Sequence, residues 1–380
     1  MQKKKKIIRV TTVPTSLDTF CKDILRELDE TYEVVAVSSP LPELEVVEQR
    51  EGVRTVAVKM ERRISIIRDI KSLWQLYRLF LKERPWLVHS MTPKAGLLSM
   101  VAGWLTRVPN RVHTFTGLVW PTATGLNRAI LKTTDRILCA CATRIIPEGN
   151  GVKQDLIKGK ITRKPLKVLA NGNVRGIDLT HYVRTQDVEE QASLIRKDGI
   201  LTFVFIGRLV RDKGIHELVD AFVKLNEKYP QTRLVLVGRS EPKLDPLSPE
   251  TQAIIDTHKS IEAVGEQSDV RPWLVASDVL TFPSYREGFP NVVIEAGAMG
   301  LPSIVSDING CNEIIIPGEN GVIVPPHNAE ALYDAMERMC VDSEYRKSLA
   351  VNARELVASR FDCRIVRKAL YDFYDSLEVK

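Results

Sequence analysis

Phe282-Pro-Ser-Tyr-Arg-Glu-Gly-Phe-Pro-Asn-Val-Val-Ile-Glu295 sets two glutamates, Glu287 and Glu295, around a Gly-Phe-Pro turn that opens an apolar helical pattern. A turn of this kind leaves the first backbone N–H groups of a helix unpaired and pointing outward, which makes an anion site. A carboxylate on either side can accept hydrogen bonds from neutral hydroxyls without competing for the anion. A diphosphate in the middle with sugar hydroxyls at the ends describes a nucleotide-sugar. Taken alone, such a string is more often a loop glutamate followed by a helical glutamate. Three other stretches weigh against that bland reading.

Upstream, Leu201-Thr-Phe-Val-Phe-Ile206 is a short apolar run rich in β-branched and aromatic residues, the signal of a buried strand. It runs into Gly207-Arg208-Leu-Val-Arg-Asp-Lys213-Gly214 and then into an amphipathic pattern over 215–228. Strand, glycine-bounded basic loop and helix deliver cations to a phosphate at the end of a parallel sheet. Arg208 offers a fork for phosphate oxygens and Lys213 a point charge, although a solvated basic loop reads equally well from this segment alone. Downstream, Ala-Gly-Ala-Met-Gly300-Leu-Pro302-Ser-Ile-Val-Ser-Asp307 ends a helix at glycine, blocks it with proline and begins a new buried strand. The third stretch, Arg111-Val-His113-Thr-Phe-Thr-Gly117, reads as a strand over 111–114 with a hydroxyl-rich exit.

Strand and helix patterns alternate along the whole chain. The expected order is strand 7–12, helix 17–28, strands 33–37 and 53–58, a basic helix within 65–86, strand 87–89 and helix 95–106. Strand 111–114, helix 126–138, a strand–turn–helix over 143–155 and a last strand 165–169 complete the first series. Residues 171–178 read as a linker before a second alternating series. This order is that of a doubly wound parallel sheet. With 380 residues the chain is too long for one core and fits two domains, 1–178 and 179–364.

Charge is unevenly spread. Residues 1–190 carry 32 Lys and Arg against 20 Asp and Glu, a net +12, whereas residues 191–380 carry 22 against 28, a net −6. A basic half suits an anionic partner: a phospholipid leaflet, a lipid diphosphate or nucleic acid. The run Lys3-Lys-Lys-Lys6 leads straight into a strand, and no nucleic-acid-binding signature follows, so no nucleic-acid partner is expected. Within 65–86, Ile66, Ile67, Ile70, Leu73, Trp74, Leu76, Tyr77, Phe80 and Leu81 recur at helical spacing with Arg68, Lys71, Arg78, Lys82 and Arg84 between them. That is either a domain helix burying one face or a basic amphipathic helix resting on anionic lipid. No stretch approaches the roughly 18–20 apolar residues of a membrane span, and no signal peptide is recognisable. The six cysteines lack metal-ligand spacing and read as reduced thiols of a cytoplasmic protein. No Asp-x-Asp is present, so no metal site is expected, and charge on a diphosphate falls to Arg208, Lys213 and helix termini.

Gly207-Arg208 with Lys213-Gly214, Pro283-Ser284, Glu287-Gly-Phe-Pro-Asn-Val-Val-Ile-Glu295, Gly300-Leu-Pro302 and Asn320-Gly321 resemble the retaining glycosyltransferases of family 4. The likeness is strong over 201–361 and looser before it. In the first half, His113-Thr-Phe-Thr-Gly117-Leu and Asn171-Gly-Asn-Val-Arg-Gly-Ile-Asp178 are similar to the branch that builds bacterial capsule, O-antigen and exopolysaccharide repeat units. The resemblance implies the GT-B architecture, two Rossmann-like domains facing a cleft, with a last helix, 365–380, returning to the first domain. It implies a nucleotide-sugar donor, a UDP-sugar, no cofactor and a lipid-diphosphate-linked saccharide acceptor at the inner face of the plasma membrane.

In that family pattern Arg208 and Lys213 stabilise the leaving diphosphate, and Glu287 holds the donor sugar. Glu295 accepts from the ribose, and His113 lies near the transferred sugar. Gly207, Gly288, Phe289, Pro290 and Asn291 complete the donor site through backbone groups and the helix start. Without the resemblance, His113 reads as a satisfied, partly buried side chain. The loop Gly117–Gly125 with Trp120 reads either as an acceptor-binding loop or as a buried connection. The first loop, Thr11-Thr-Val-Pro-Thr-Ser16, departs from the family by lacking a glycine pair. A sugar-nucleotide 2-epimerase of the same architecture and a non-catalytic nucleotide-sugar-binding protein are the rival readings.

Overall fold

Successive side chains of a strand point to opposite faces, so a strand buried on both sides reads as an unbroken apolar run. Ile7 and Ile8 illustrate it: Ile8 joins one core with Val35, Val37 and Val88, and Ile7 joins another with Val34, Ala36 and Leu87. The structure is a computed structural model and describes residues 4–61, 65–241 and 245–377. Lys3 and the last residues of the expected helix 365–380 lie outside the described residues. The chain divides into two units, Met1–Gly176 with Arg364–Lys380, and Ile177–Cys363.

The first unit holds β1 (Lys6–Val10), β2 (Glu33–Ser38), β3 (Arg54–Ala57), β4 (Leu87–Met91), β5 (Asn110–Phe115) and β6 (Arg144–Pro147), all parallel, in the order β3-β2-β1-β4-β5-β6. The second holds β7 (Leu201–Ile206), β8 (Thr232–Val237), β9 (Ile261–Gly265), β10 (Val279–Phe282), β11 (Ser303–Ser306) and β12 (Gly321–Val324), in the order β12-β11-β10-β7-β8-β9. Each is the doubly wound order with one switch point, between β1 and β4 and between β7 and β10. Ligands of such sheets bind outside the carboxyl ends of the strands at that point. This is the GT-B pair of sheets that the sequence implies.

One face of the first sheet is covered by helices Ile66–Glu83, Pro93–Leu105 and Gly125–Cys141, packed side by side in that order. The opposite face carries helices Pro14–Cys21, Ile24–Thr31 and Glu43–Glu51 together with the last helix, Cys363–Asp375. That last helix is pinned by Tyr374, whose hydroxyl lies 2.6 Å from the Arg9 guanidinium and 2.6 Å from His89 Nδ1, and by an ion pair between Arg367 and Glu27.

Two local expectations fail, each for an identifiable reason. The helix expected over 17–28 is broken at Asp23, which takes a left-handed φ of 63°. The buried Glu51 carboxylate accepts the backbone N–H groups of Asp23 at 3.0 Å and Arg26 at 3.3 Å, and so starts a second helix there. The strand expected over 165–169 is reduced to one bridge between Ile145 and Leu166. Pro165 lacks an N–H for a ladder, and Lys164 instead turns its ammonium to the carbonyls of Cys139 and Ala140 at the end of the neighbouring helix.

Candidate functional site

At the β7/β10 switch point three loops converge. The chain leaves β7 through Gly207, φ 154°, and β8 through Gly238, φ 146°. A Cβ on Gly238 would overlap the Gly207 carbonyl, so only glycine lets the two loops meet. After Arg208 the loop forms a short 3-10 turn, Arg211–Lys213, closed by Gly214 at φ 70°. A Cβ on Gly214 would overlap the carbonyl oxygen of Pro283, the first residue after β10. That contact seats the basic loop directly on the loop that carries Glu287.

The seating is reinforced by hydrogen bonds. Tyr285 N–H donates to the Asp212 carbonyl at 2.9 Å, and Ser284 Oγ donates to the Glu287 carboxylate at 2.8 Å. Lys213 Nζ pairs with the same Glu287 oxygen and stands 5.5 Å from the centre of the Phe282 ring. Both members of the pair are largely enclosed, with 14% and 16% of their side chains exposed. Arg208 points outward, 43% exposed, and its guanidinium donates to the Glu241 carboxylate at 2.7 Å. Glu241 has no counterpart among the sequence expectations. It stands in a loop with no motif spacing, and only the β7–β8 pairing brings it to Arg208.

The Gly-Phe-Pro turn leads into helix Asn291–Ala298, preceded by Pro290, which supplies no side-chain cap. Val293, Ile294 and Ala296 face the core, whereas Asn291 and Glu295, one turn apart, stay half-buried on the helix's other side. Gly310, φ 76°, lets the loop after β11 close on Gly288 and Phe289, since a Cβ there would come within 2.6–2.7 Å of the Gly288 oxygen and the Phe289 Cα. Gly207, Arg208, Lys213, Glu287, Gly288, Phe289, Pro290 and Asn291 thus line one edge of the second sheet, and Glu295 follows one turn deeper. The edge combines Arg208 and Lys213 with the carboxylates of Glu241, Glu287 and Glu295 and a helix start to which Pro290 brings no side-chain cap.

His113 is in the first unit and away from any open surface. It is 1% exposed in the middle of β5, with Nδ1 2.9 Å from Ser90 Oγ and its ring edge-on to Phe115. A Cβ on Gly96 would strike the imidazole, so the helix Pro93–Leu105 lies flat against it. Burial pushes its pKa down to about 3, and the ring stays neutral. The ring is enclosed by Ser90, Phe115 and Gly96, as expected of a satisfied, buried side chain. Trp120 is buried as well, against Gly159 and beneath Arg128 and Lys132, which makes the Gly117–Gly125 loop a packed connection at that residue.

Residues 17–172 match the family described as glycosyl transferase 4-like domain, and residues 186–356 match glycosyl transferases group 1. The chain is 29% identical over 376 residues to the capsular polysaccharide biosynthesis glycosyltransferase CapM of Staphylococcus aureus, covering 98% of both chains. It is 29% identical over 307 residues to the Escherichia coli UDP-Gal:alpha-D-GlcNAc-diphosphoundecaprenol alpha-1,3-galactosyltransferase, covering 79% of this chain and 78% of that protein. Among solved structures, Anabaena HepE in complex with UDP-glucose superposes with a TM-score of 0.81 at 18% identity, over 98% of this chain and 99% of that one. With both halves matched in order and both sheets in place, the chain belongs to the group 1 and family 4-like glycosyltransferases of GT-B fold and is a glycosyltransferase.

Proposed function

We propose that this glycosyltransferase moves a sugar, with retention of configuration and without a divalent metal, from a UDP-sugar to a lipid-diphosphate-linked saccharide during assembly of a bacterial surface polysaccharide. The observation that carries the donor half is the Gly214–Pro283 contact, which brings Lys213, Glu287 and the start of helix Asn291–Ala298 to one edge. Charge accumulates on the departing diphosphate in the transition state, and preorganised cations there contribute most when water is excluded. Lys213 and Arg208 supply those cations, and the start of helix Asn291–Ala298, where Pro290 brings no side-chain cap, adds the positive end of a helix. Glu287 holds the donor sugar and Glu295 accepts from the ribose hydroxyls. UDP is favoured by the names of the Escherichia coli relative and of the HepE complex, and the lipid-diphosphate acceptor by the former. The second unit is the donor side and the first unit the acceptor side.

The same proposal sets the protein on the cytoplasmic face of an anionic membrane. Helix Ile66–Glu83 buries only Ser72, Leu76 and Phe80, and leaves Ile66, Ile67, Ile70, Trp74 and Leu81 in solvent. Ile67 is 84% exposed and Trp74 58%. A helix whose only task was to cover the sheet would turn these residues inward. Among the described residues no helix is long and apolar enough to cross a membrane.

The deciding experiment is a screen of nucleotide-sugars against a polyprenyl-diphosphate monosaccharide, with the product's anomeric configuration read by NMR. Transfer from a UDP-sugar with retention, undiminished by EDTA, is the expected result. Loss of activity in EDTA with recovery in Mn²⁺ or Mg²⁺ removes the metal-free part. Interconversion of the donor without transfer removes the whole reading in favour of an epimerase.

A further inference from the structure

The two cations of the donor edge are both already occupied in the free protein. Lys213 is paired with Glu287 and Arg208 with Glu241, so the four groups sum to no net charge. A diphosphate arriving at such an edge meets carboxylates as well as cations. One of the pairs has to open for the anion to gain a full charge.

The geometry points to the Arg208 pair. Lys213 and Glu287 are enclosed, and Glu287 is also held by Ser284. Arg208 is three times as exposed as its partner, 43% against 14%. Its long side chain can swing while Glu241 stays in place, because the loop after β8 is fastened to the loop after β7. Leu209 N–H donates to the Arg239 carbonyl at 2.9 Å, and Asp212 N–H to the Asp245 carboxylate at 2.8 Å. Arg239 stands 3.4 Å from Glu241 on its other side, so the carboxylate keeps a cationic neighbour when Arg208 leaves.

On the donor reading given above, we propose that Glu241 is a placeholder for the diphosphate. It holds Arg208 in the free protein, yields it to the β-phosphate of the incoming donor, and competes to take it back once the nucleoside diphosphate is left behind. Glu241 is thus a positioning residue that acts through Arg208, and its task is product release. The exchange moves no proton and breaks no covalent bond.

The test is calorimetric titration of UDP and GDP into the full-length wild type, Glu241→Gln, Glu241→Asp and Arg208→Ala, with steady-state turnover measured in parallel. Removing a competing charge from one exposed-side ion pair is expected to tighten UDP by up to about fivefold in Glu241→Gln. Turnover falls in the same variant as release slows, and Glu241→Asp returns both quantities toward wild type. Arg208→Ala abolishes the gain when combined with Glu241→Gln. If Glu241 merely orients Arg208 for the phosphate, Glu241→Gln binds UDP more weakly, and the placeholder is overturned. If the wild type binds neither nucleotide, the donor reading itself has failed and the placeholder falls with it.

Discussion

Lys213 and Glu287 stand 74 positions apart in the chain and meet at one carboxylate oxygen that Ser284 also holds. Both residue types were legible in the sequence because each is tied to a glycine-marked turn, and glycine signals survive without tertiary context. Glu241 was not, because nothing in Arg239-Ser-Glu241 marks a spacing. His113 stayed between two readings because a histidine near a strand's end and one in its middle look alike until register is known. Replacing Lys213 or Arg208 by Ala is expected to lower kcat by at least ~100-fold, the scale of one lost preorganised donor in a transition state. Near-normal turnover in both variants would remove them from the mechanism. Glu295→Gln is expected to raise KM for the donor with little change in kcat, because ribose contacts are made equally in the ground and transition states. Glu287→Gln is expected to cut kcat instead, since on the proposed reading it holds the donor sugar as it distorts, and it pairs with the Lys213 ammonium. Identical profiles for the two variants would show that the roles are not divided in this way.

Elements were legible where period and punctuation agreed, and illegible where a distant side chain decided them. Glu51 breaks the first helix in two without a local trace, whereas Lys164 caps a helix end beside Pro165, which already denies the strand an N–H. Helix Gly125–Cys141 shows a further consequence of tertiary burial. Asp135 faces inward there with Leu138 and Cys139, and burial pushes its pKa up to about 7. A carboxyl whose folded pKa lies above the unfolded 3.8 stabilises nothing when ionised. The fold binds the extra proton, so the cost of ionisation grows as pH rises from the unfolded to the folded value and then stays constant. Asp135→Asn removes that cost. Its stability gain over wild type is expected to increase by about 2–3 kcal/mol between pH 5 and pH 8, as an upper bound. Urea unfolding at the two pH values measures it. A gain that does not change with pH would mean that Asp135 titrates like an exposed carboxylate.

Across the whole molecule the +12 of residues 1–190 and the −6 of residues 191–380 give one charged side to a membrane-binding reading, and the structure adds an apolar one. Besides helix Ile66–Glu83, the neighbouring helices of the same layer expose Trp104, Leu105, Leu126, Ile130 and Ile137. The sequence left this open, because helical spacing fixes that an apolar stripe exists but not which neighbour covers it. Two forces of different character follow. Each Lys or Arg near an anionic surface is worth about 1 kcal/mol and is screened beyond a Debye length of about 8–10 Å, whereas apolar burial at about 25 cal/mol per Å² is not weakened by salt. Exchanging Arg68, Lys71, Arg78 and Lys82 for Gln is therefore expected to abolish the preference of the protein for anionic over neutral vesicles. A residual, salt-insensitive binding should remain. Exchanging Ile67 and Trp74 for Ser is expected to do the reverse, lowering binding at high salt most while the lipid-charge preference survives. Vesicle co-sedimentation across a salt series separates the two, with transfer to a short soluble acceptor as the control for folding. Binding indifferent to salt, lipid charge and both sets of exchanges would leave the basic half to the acceptor's own diphosphate, which needs cations but no exposed isoleucines.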